Sequence, residues 1–143
     1  MIVFVVAMVV LFALLVFMWV SIGREPGPGP ADVAIAYEHA WDHLDFDLLF
    51  DLSGEELRDG MRRDRFVAAK RDAYGNTGAP AHLDADVRVE TSIAGNQTAL
   101  VVTEVAVEGG SVRNNVMLEK RANGWVVVGY SLRPDAGAGT PGT

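Results

Sequence analysis

The sequence predicts an α+β protein, in which an N-terminal transmembrane helix precedes about three helices packed on a curved four-stranded antiparallel meander. Three observations lead to this fold class. Residues 2–20 contain no charge, no proline and no glycine. Residues 32–74 place apolar side chains at helical spacing, whereas residues 86–132 alternate with the period of a strand. Helices that all come before the strands are typical of the α+β class.

The apolar run at the start of the chain predicts a membrane anchor. A helix rises about 1.5 Å per residue, so about 20 residues cross the roughly 30 Å hydrocarbon core of a bilayer. A secretory signal is disfavoured, because the run has no basic start and no small-x-small cleavage site at its end. Trp19 suits the interface between lipid and water. We therefore predict a single-pass protein of the cell membrane, with a transmembrane helix over residues 1–22 and the bilayer as the partner of residues 2–22.

The rest of the chain predicts one small domain. Residues 23–30, GREPGPGP, combine proline with glycine and are expected to form a linker. Residues 31–133 are expected to build a single core, and residues 134–143 to form a disordered tail. All 12 basic and 19 acidic residues follow Gly23, so the net charge of −7 belongs to this part and argues against a nucleic-acid partner. The chain has no Cys, which excludes disulfides and thiolate metal sites.

Three helical stretches are expected in the first half of the domain. Asp32 is the predicted N-cap of the first. Its apolar stripe recurs every three or four residues: Val33, Tyr37, Ala40, Trp41 and Leu44. Glu38 and Asp42 fall off this stripe. A second stretch follows, after which Ser53 is the predicted cap of a short turn and Asp64 the predicted cap of the third helix.

Four strands are expected in the second half. The first strand alternates polar residues with a set that is expected to share one face: Val87, Val89, Thr91 and Ile93. Turn dipeptides at 95–96, 109–110 and 123–124 separate this strand from three more. Tight turns join neighbouring antiparallel strands, so the pattern predicts a meander. Its apolar face needs a cover, which the helices can supply.

Two stretches carry a resemblance to a known family. One is residues 40–53, AWDHLDFDLLFDLS, and the other is residues 124–132, GWVVVGYSL. Because of these two stretches and the order of the predicted helices and strands, residues 31–133 resemble the nuclear transport factor 2-like superfamily, which has a cone-shaped α+β fold. The resemblance extends to membrane-tethered members, and it implies a domain outside the cytoplasm and a homodimer through the sheet. Arg24 beside the apolar run indicates the cytoplasmic side instead, so the side stays open.

Candidate pocket residues follow from that resemblance. Enzymes of the resembled fold place a carboxylate, a histidine or a tyrosine inside the cone, where it moves a proton in a dry pocket. The side chains predicted to face inward include no acid and no His, so we predict no catalytic residue. Tyr37 could donate a hydrogen bond into a pocket or belong to the core, and Asn114 could orient a ligand or satisfy a bulge. The candidates for a ligand pocket are Tyr37, Trp41, Asn114 and Trp125.

Two histidines lie four residues apart in the first helix of the domain. His39, Asp42 and His43 spell His-x-x-Asp-His, which is close to the zinc motif His-x-x-Glu-His. Asp is shorter than Glu, both histidines are expected opposite Trp41, and His82 is in an unrelated loop. The sequence therefore favours a solvated helix face, and we predict no metal site and no cofactor.

The function that these patterns favour is binding. We predict a single-pass membrane-anchored, non-catalytic domain that binds a protein partner, a second copy of itself, or a small apolar ligand. The alternative is an isomerase- or dehydratase-type enzyme that uses a pocket inside the cone. The absence of a predicted inward acid separates the two and favours the first.

Overall fold

The computed structural model describes residues 2–22, 27–75, 86–107 and 110–133. Within them, five helices come first: α1 (Ile2–Ile22), α2 (Pro30–Asp42), α3 (Phe46–Leu52), α4 (Glu55–Arg58) and α5 (Arg63–Tyr74). Four strands follow in one sheet: β1 (Val87–Ala94), β2 (Thr98–Val107), β3 (Gly110–Arg121) and β4 (Gly124–Leu132). The predicted α+β class is confirmed. The predicted tail, His82 and residues 23–26 of the predicted linker lie outside the described residues.

Helix α1 carries the apolar run. It is 21 residues long, and its side chains are described over residues 8–18. All of these side chains are exposed, with Phe12 at 70% and Phe17 at 71%. Within the part of the chain that the structure describes in full, no helix is both long and apolar enough to cross a membrane. The transmembrane helix therefore stays a prediction.

The helix starts differ from the predicted ones. Helix α2 begins at Pro30 with Gly29 as its N-cap, so the prediction of Asp32 as the cap is wrong. Proline already has the backbone φ of a helix and lacks the N–H that a first turn leaves unpaired, which makes it a good first residue. Asp32 instead lies in the first turn, where its carboxylate accepts a hydrogen bond from the Gly29 N–H at 2.9 Å and suits the positive end of the helix dipole.

Ser53 and Asp64 are also not N-caps. Ser53 ends α3, and its hydroxyl donates to the Leu49 carbonyl at 2.7 Å. The next residue, Gly54, is the N-cap of α4, and its N–H donates to the Val127 carbonyl on β4 at 2.7 Å, which ties the start of α4 to the sheet. Helix α5 begins one residue before Asp64, with Arg62 as its N-cap.

The sheet is an antiparallel meander in the order β1-β2-β3-β4, as predicted. The register of the β1–β2 ladder shifts at Glu90, which is one extra residue in β1. Because of this bulge, the side chains after Glu90 point to the opposite face from the one that simple alternation predicts. Thr91 and Ile93 therefore do not share a face with Val87 and Val89 as predicted, and Ile93 is 65% exposed. A one-residue shift moves every following side chain to the other face of a strand.

A second bulge lies at Val128 on β4. The partner of Leu118 is Val127, but the partner of the neighbouring Met117 is Gly129, so Val128 is the extra residue. Because of this shift, Tyr130 pairs with the fully buried Val116 and lies on the inner face of the sheet. Without the bulge, the alternation from Val127 would turn Tyr130 outward.

The core lies between the inner face of the sheet and helices α2, α3 and α5. Its fully enclosed members include Leu49, Val101, Val116, Leu118 and Val127, each at 1% exposure or less. Val33 and Tyr37 of the predicted apolar stripe belong to the core as well, together with Phe66 of α5. Trp41 and Trp125 pack on its edge while partly buried.

Candidate functional site

The main polar feature of the interior is the carboxylate of Glu38, a residue that is 5% exposed. Its Oε1 accepts hydrogen bonds from the Thr103 hydroxyl at 2.5 Å and from the Asn114 amide at 3.1 Å. Its Oε2 accepts a hydrogen bond from the Tyr130 hydroxyl at 2.8 Å. Three donors from β2, β3 and β4 thus converge on one side chain of α2. We call these four residues the Glu38 cluster.

Helical geometry explains how Glu38 reaches the interior. It follows the fully buried Ala34 by four residues and precedes Trp41 by three, so it continues the buried face of α2. The prediction that Glu38 lies off the apolar stripe, and that the interior holds no acid, is therefore wrong. The apolar face of a packed helix is at least about 100° wide, and a polar residue fits within it when donors are available.

The strands bring the donors together through their register. Thr103 and Asn114 are direct partners across the β2–β3 ladder and lie on the inner face. Tyr130 pairs with Val116, two residues along β3 from Asn114, and the bulge at Val128 turns it to the same face. Thr103 and Asn114 are polar residues on strand faces that are otherwise largely apolar, and this pattern indicated a polar site on the inner face. Asn114 was named as a candidate from the sequence, whereas Thr103 was not.

Two tyrosine rings lie beside the carboxylate. The ring centroids of Tyr37 and Tyr130 are 5.3 Å apart, and the rings are tilted by 56°. Burial raises the pKa of the Tyr130 phenol above its ordinary value of 10.0, and the charge of Glu38 and the hydrogen bond to it act in the same direction. Burial also raises the pKa of Tyr37, although Trp41 and Ser53 partly oppose it. Both phenols therefore keep their protons at neutral pH, and the proton of Tyr130 is donated to Glu38.

The structure brings two of the four predicted pocket residues together and places the other two apart from each other. Tyr37 and Asn114 are 3% and 4% exposed and meet at the Glu38 cluster. Trp41 lies one helical turn after Tyr37 on α2 and packs edge-on against Phe46 and Tyr74. Trp125 lies near the start of β4, with the Lys120 ammonium 6.0 Å from its ring centroid.

One hydrogen-bond acceptor in the Glu38 cluster has no described donor. The Asn114 Oδ1 atom is buried and has no hydrogen-bond partner among the described residues.

Three surface clefts lie elsewhere on the described part of the domain, around Asp59 to Arg65, around Arg88 and Glu104, and around Gly54 and Arg121. None of these three is lined by Glu38 or Asn114.

The histidine pair lies at the C-terminal end of α2. His39 is half-buried, His43 is exposed, and one ligand atom from each of them and from Asp42 fit within 4.8 Å of one another. The side chain of Asp42 is only 6% exposed, whereas a solvated helix face was predicted for this motif. Burial of this carboxylate is the feature that the sequence pattern did not indicate.

The outer face of the sheet carries a row of exposed apolar side chains. Ile93, Leu100 and Met117 are direct partners across β1, β2 and β3, and they are 65%, 38% and 55% exposed. On β4 the partner of Met117 is Gly129. The Met117 side chain lies over this glycine, so a Cβ added at residue 129 would be 3.2 Å from the Met117 sulfur. We call Ile93, Leu100 and Met117 the outer row.

The chain was compared with protein-family models and with curated proteins, and neither comparison gave a match. The resemblance to the nuclear transport factor 2-like superfamily therefore stays a prediction that rests on the sequence stretches given above.

Proposed function

We propose that this chain is a single-pass membrane protein whose domain binds a second copy of itself through the outer face of its sheet. The observation that carries this proposal is the outer row. Three large apolar side chains in direct register are exposed on a face that no described helix covers. Contiguous exposed apolar surface on a folded domain is typical of protein interaction sites.

The surroundings of the outer row favour a protein partner over a small apolar ligand. Pairs of opposite charge lie on the same sheet, with Arg113 Nε 3.2 Å from Glu90 and Arg121 Nη2 2.7 Å from Glu119. An apolar centre with a polar rim is the usual anatomy of a protein–protein interface. A small ligand requires a concave pocket that covers most of its surface, which a row on a sheet does not offer.

The bilayer is the partner we propose for α1. Its described side chains over residues 8–18 are apolar and exposed all around the helix. A helix that is apolar on every side is stable only when other apolar groups surround it, and the described residues of the domain do not cover these side chains. We place the domain outside the cytoplasm, as the family resemblance implies. The linker would then hold the sheet close to the membrane. Two anchored copies would diffuse only within the membrane plane, which raises the chance that they meet.

The chain has no Cys, so one introduced Cys reports on one position. We would place Met117→Cys in the outer row and Glu55→Cys on the exposed start of α4 as the control. Purified full-length protein in liposomes, treated with a short thiol cross-linker, is expected to give a covalent dimer for Met117→Cys and little for Glu55→Cys. Equal yields for the two variants, or no dimer with either, would contradict self-association through this face.

The same control variant reports the side of the membrane. A membrane-impermeant maleimide added to intact cells is expected to label Glu55→Cys without lysis. Labelling only after lysis would place the domain in the cytoplasm. Release of the full-length chain by alkaline carbonate would contradict the anchor itself.

The Glu38 cluster favours a second candidate function, an isomerase- or dehydratase-type enzyme. A buried carboxylate beside a tyrosine donor is the pair that proton abstraction next to a carbonyl requires. The unpaired Asn114 Oδ1 could accept a hydrogen bond from a substrate. The test is exchange of the α-protons of a panel of cyclic ketones for deuterium. Exchange that Glu38→Gln abolishes would support the enzyme, whereas no exchange with the unaltered chain would leave Glu38 with a structural role.

A further inference from the structure

We propose that His39, Asp42 and His43 bind one divalent transition-metal ion of the zinc class at the C-terminal end of α2. The three residues occupy positions i, i+3 and i+4, which lie on one side of a helix. One potential ligand atom from each residue lies within 4.8 Å of the others. The His43 nitrogen described beside Asp42 is Nδ1, so the ring has to rotate to bring Nε2 to the ion. Zinc ligands at about 2.0–2.2 Å bring donor atoms to about 3.5 Å from each other, a distance that side-chain rotation can reach.

The Asp42 carboxylate is the observation that points to a cation. Its side chain is 6% exposed, and neither oxygen has a hydrogen-bond partner among the described residues. The one ion-pair partner described for it is His43, whose Nδ1 lies 3.9 Å from Oδ2. A buried carboxylate without a donor or a cation is strongly disfavoured, and the described side chains offer this group only the His43 imidazole at 3.9 Å.

The geometry of His43 prepares one nitrogen for a metal. Its Nδ1 lies 2.9 Å from the His39 carbonyl oxygen. A carbonyl only accepts hydrogen bonds, so Nδ1 carries the proton and the neutral ring keeps its free lone pair on Nε2. Metal-binding histidines commonly donate their second N–H to a backbone carbonyl in this way, which fixes the tautomer and the ring.

The electrostatic setting also favours a cation. The carbonyl end of a helix carries partial negative charge, and Asp42 is the last residue of α2. Residues 32–59 contain nine acidic residues and one basic residue, Arg58. The nearby Lys70 ammonium lies over aromatic rings instead, 5.4 Å from the centroid of Trp41.

The donor set selects the class of metal. Two imidazole nitrogens and one carboxylate oxygen suit zinc and its first-row neighbours, whereas magnesium and calcium prefer oxygen alone. The His43 side chain is 57% exposed, so an ion can enter from solvent and water can complete its coordination. We assign the site a binding role, and no reaction is needed to explain it.

Zinc(II) titration of the untagged, chelator-treated full-length chain in detergent tests the proposal. We expect one zinc per chain, with a higher midpoint of thermal unfolding when zinc is bound. Asp42→Asn, His39→Gln and His43→Gln should each weaken zinc binding at least tenfold. The matched control is Glu55→Gln, an exposed acid on α4, which should bind within twofold of the unaltered chain.

A second measurement separates a metal ligand from a structural acid. Without zinc, Asp42→Asn should unfold at a higher temperature than the unaltered chain, because it removes an unpaired buried charge. With saturating zinc, the order should reverse. Failure of the order to reverse, or saturable one-to-one binding that survives in all three variants, would overturn the proposal.

Discussion

Two carboxylates lie one helical turn apart on α2 and have opposite surroundings. Glu38 is 5% exposed and accepts three hydrogen bonds from the sheet. The Asp42 side chain is 6% exposed, and both of its oxygens are without a hydrogen-bond partner among the described residues. Glu38 is buried as a whole residue, whereas Asp42 is half-buried as a residue although its side chain is nearly enclosed. The sharper difference lies in the hydrogen-bond donors that the neighbouring elements present. The hydrogen bonds of Glu38 are supplied within the domain, whereas for Asp42 we propose that a bound ion supplies the missing partner.

The largest effect should come from removing the carboxylate that accepts hydrogen bonds from the sheet. Glu38→Ala leaves the donors of Thr103, Asn114 and Tyr130 without their acceptor between α2 and the sheet. We expect a loss of about 3–5 kcal/mol in the free energy of unfolding. Urea unfolding of the full-length chain in detergent, followed by tryptophan fluorescence, measures this loss. The exposed Glu55→Ala should change stability by less than about 0.5 kcal/mol, and an equal effect in both variants would contradict the role of the Glu38 cluster.

A smaller loss should follow from removing one donor. Tyr130→Phe keeps the ring against Tyr37 and deletes only the hydroxyl that donates to Glu38 Oε2 at 2.8 Å. We expect a cost of about 1–3 kcal/mol in the same urea experiment, because one carboxylate oxygen loses its partner. A variant as stable as the unaltered chain would mean that water replaces the hydroxyl and that the site is open to solvent.

The opposite sign is expected at the other carboxylate. Asp42→Asn neutralises a buried charge that has no described donor, so the metal-free chain should gain about 1 kcal/mol in the free energy of unfolding. Chelator-treated protein is the material for this measurement. A loss of stability would indicate that Asp42 has a partner in the folded chain and would remove the contrast with Glu38.

The smallest effect is a dependence on alkaline pH. The folded-state pKa of Tyr130 is raised above 10.0, so the unfolded chain loses this proton first as the pH rises. The stabilisation from Tyr130 is therefore complete below pH 10.0 and is lost as the pH rises above it. Near pH 10.5 the loss should reach about 0.8 kcal/mol. Urea unfolding near pH 8 and near pH 10.5 should show a smaller loss of stability in Tyr130→Phe than in the unaltered chain. The loss that remains in Tyr130→Phe should come from Tyr37, whose pKa is also raised by burial.

The order of helices and strands could be predicted because each signal is local. Periodicity and turn dipeptides such as Asn123 and Gly124 depend on residues that are neighbours in the chain. Tyr37 was placed correctly in the interior for the same reason, and Asn114 was recognised as unusual for a strand.

Two kinds of information were missing from the sequence. The bulges at Glu90 and Val128 change which face Ile93 and Tyr130 occupy, and neither position carries a glycine or proline that would announce it. The burial of Glu38 depends on donors from three strands, so reading α2 alone assigns it to the surface. Polar residues in otherwise apolar strands are the sign that a helix facing them contains a partner.

The span of the Glu38 hydrogen bonds has a consequence for how the chain matures. They join residues that are 65, 76 and 92 positions apart. During synthesis Glu38 leaves the ribosome well before Tyr130 is made, so its carboxylate must stay hydrated until the last strand arrives. Docking of α2 on the sheet is then a late event that follows completion of the polypeptide. Nascent chains that end before Tyr130 should be protease-sensitive, and chains that extend beyond β4 by the length of the ribosomal tunnel should be resistant.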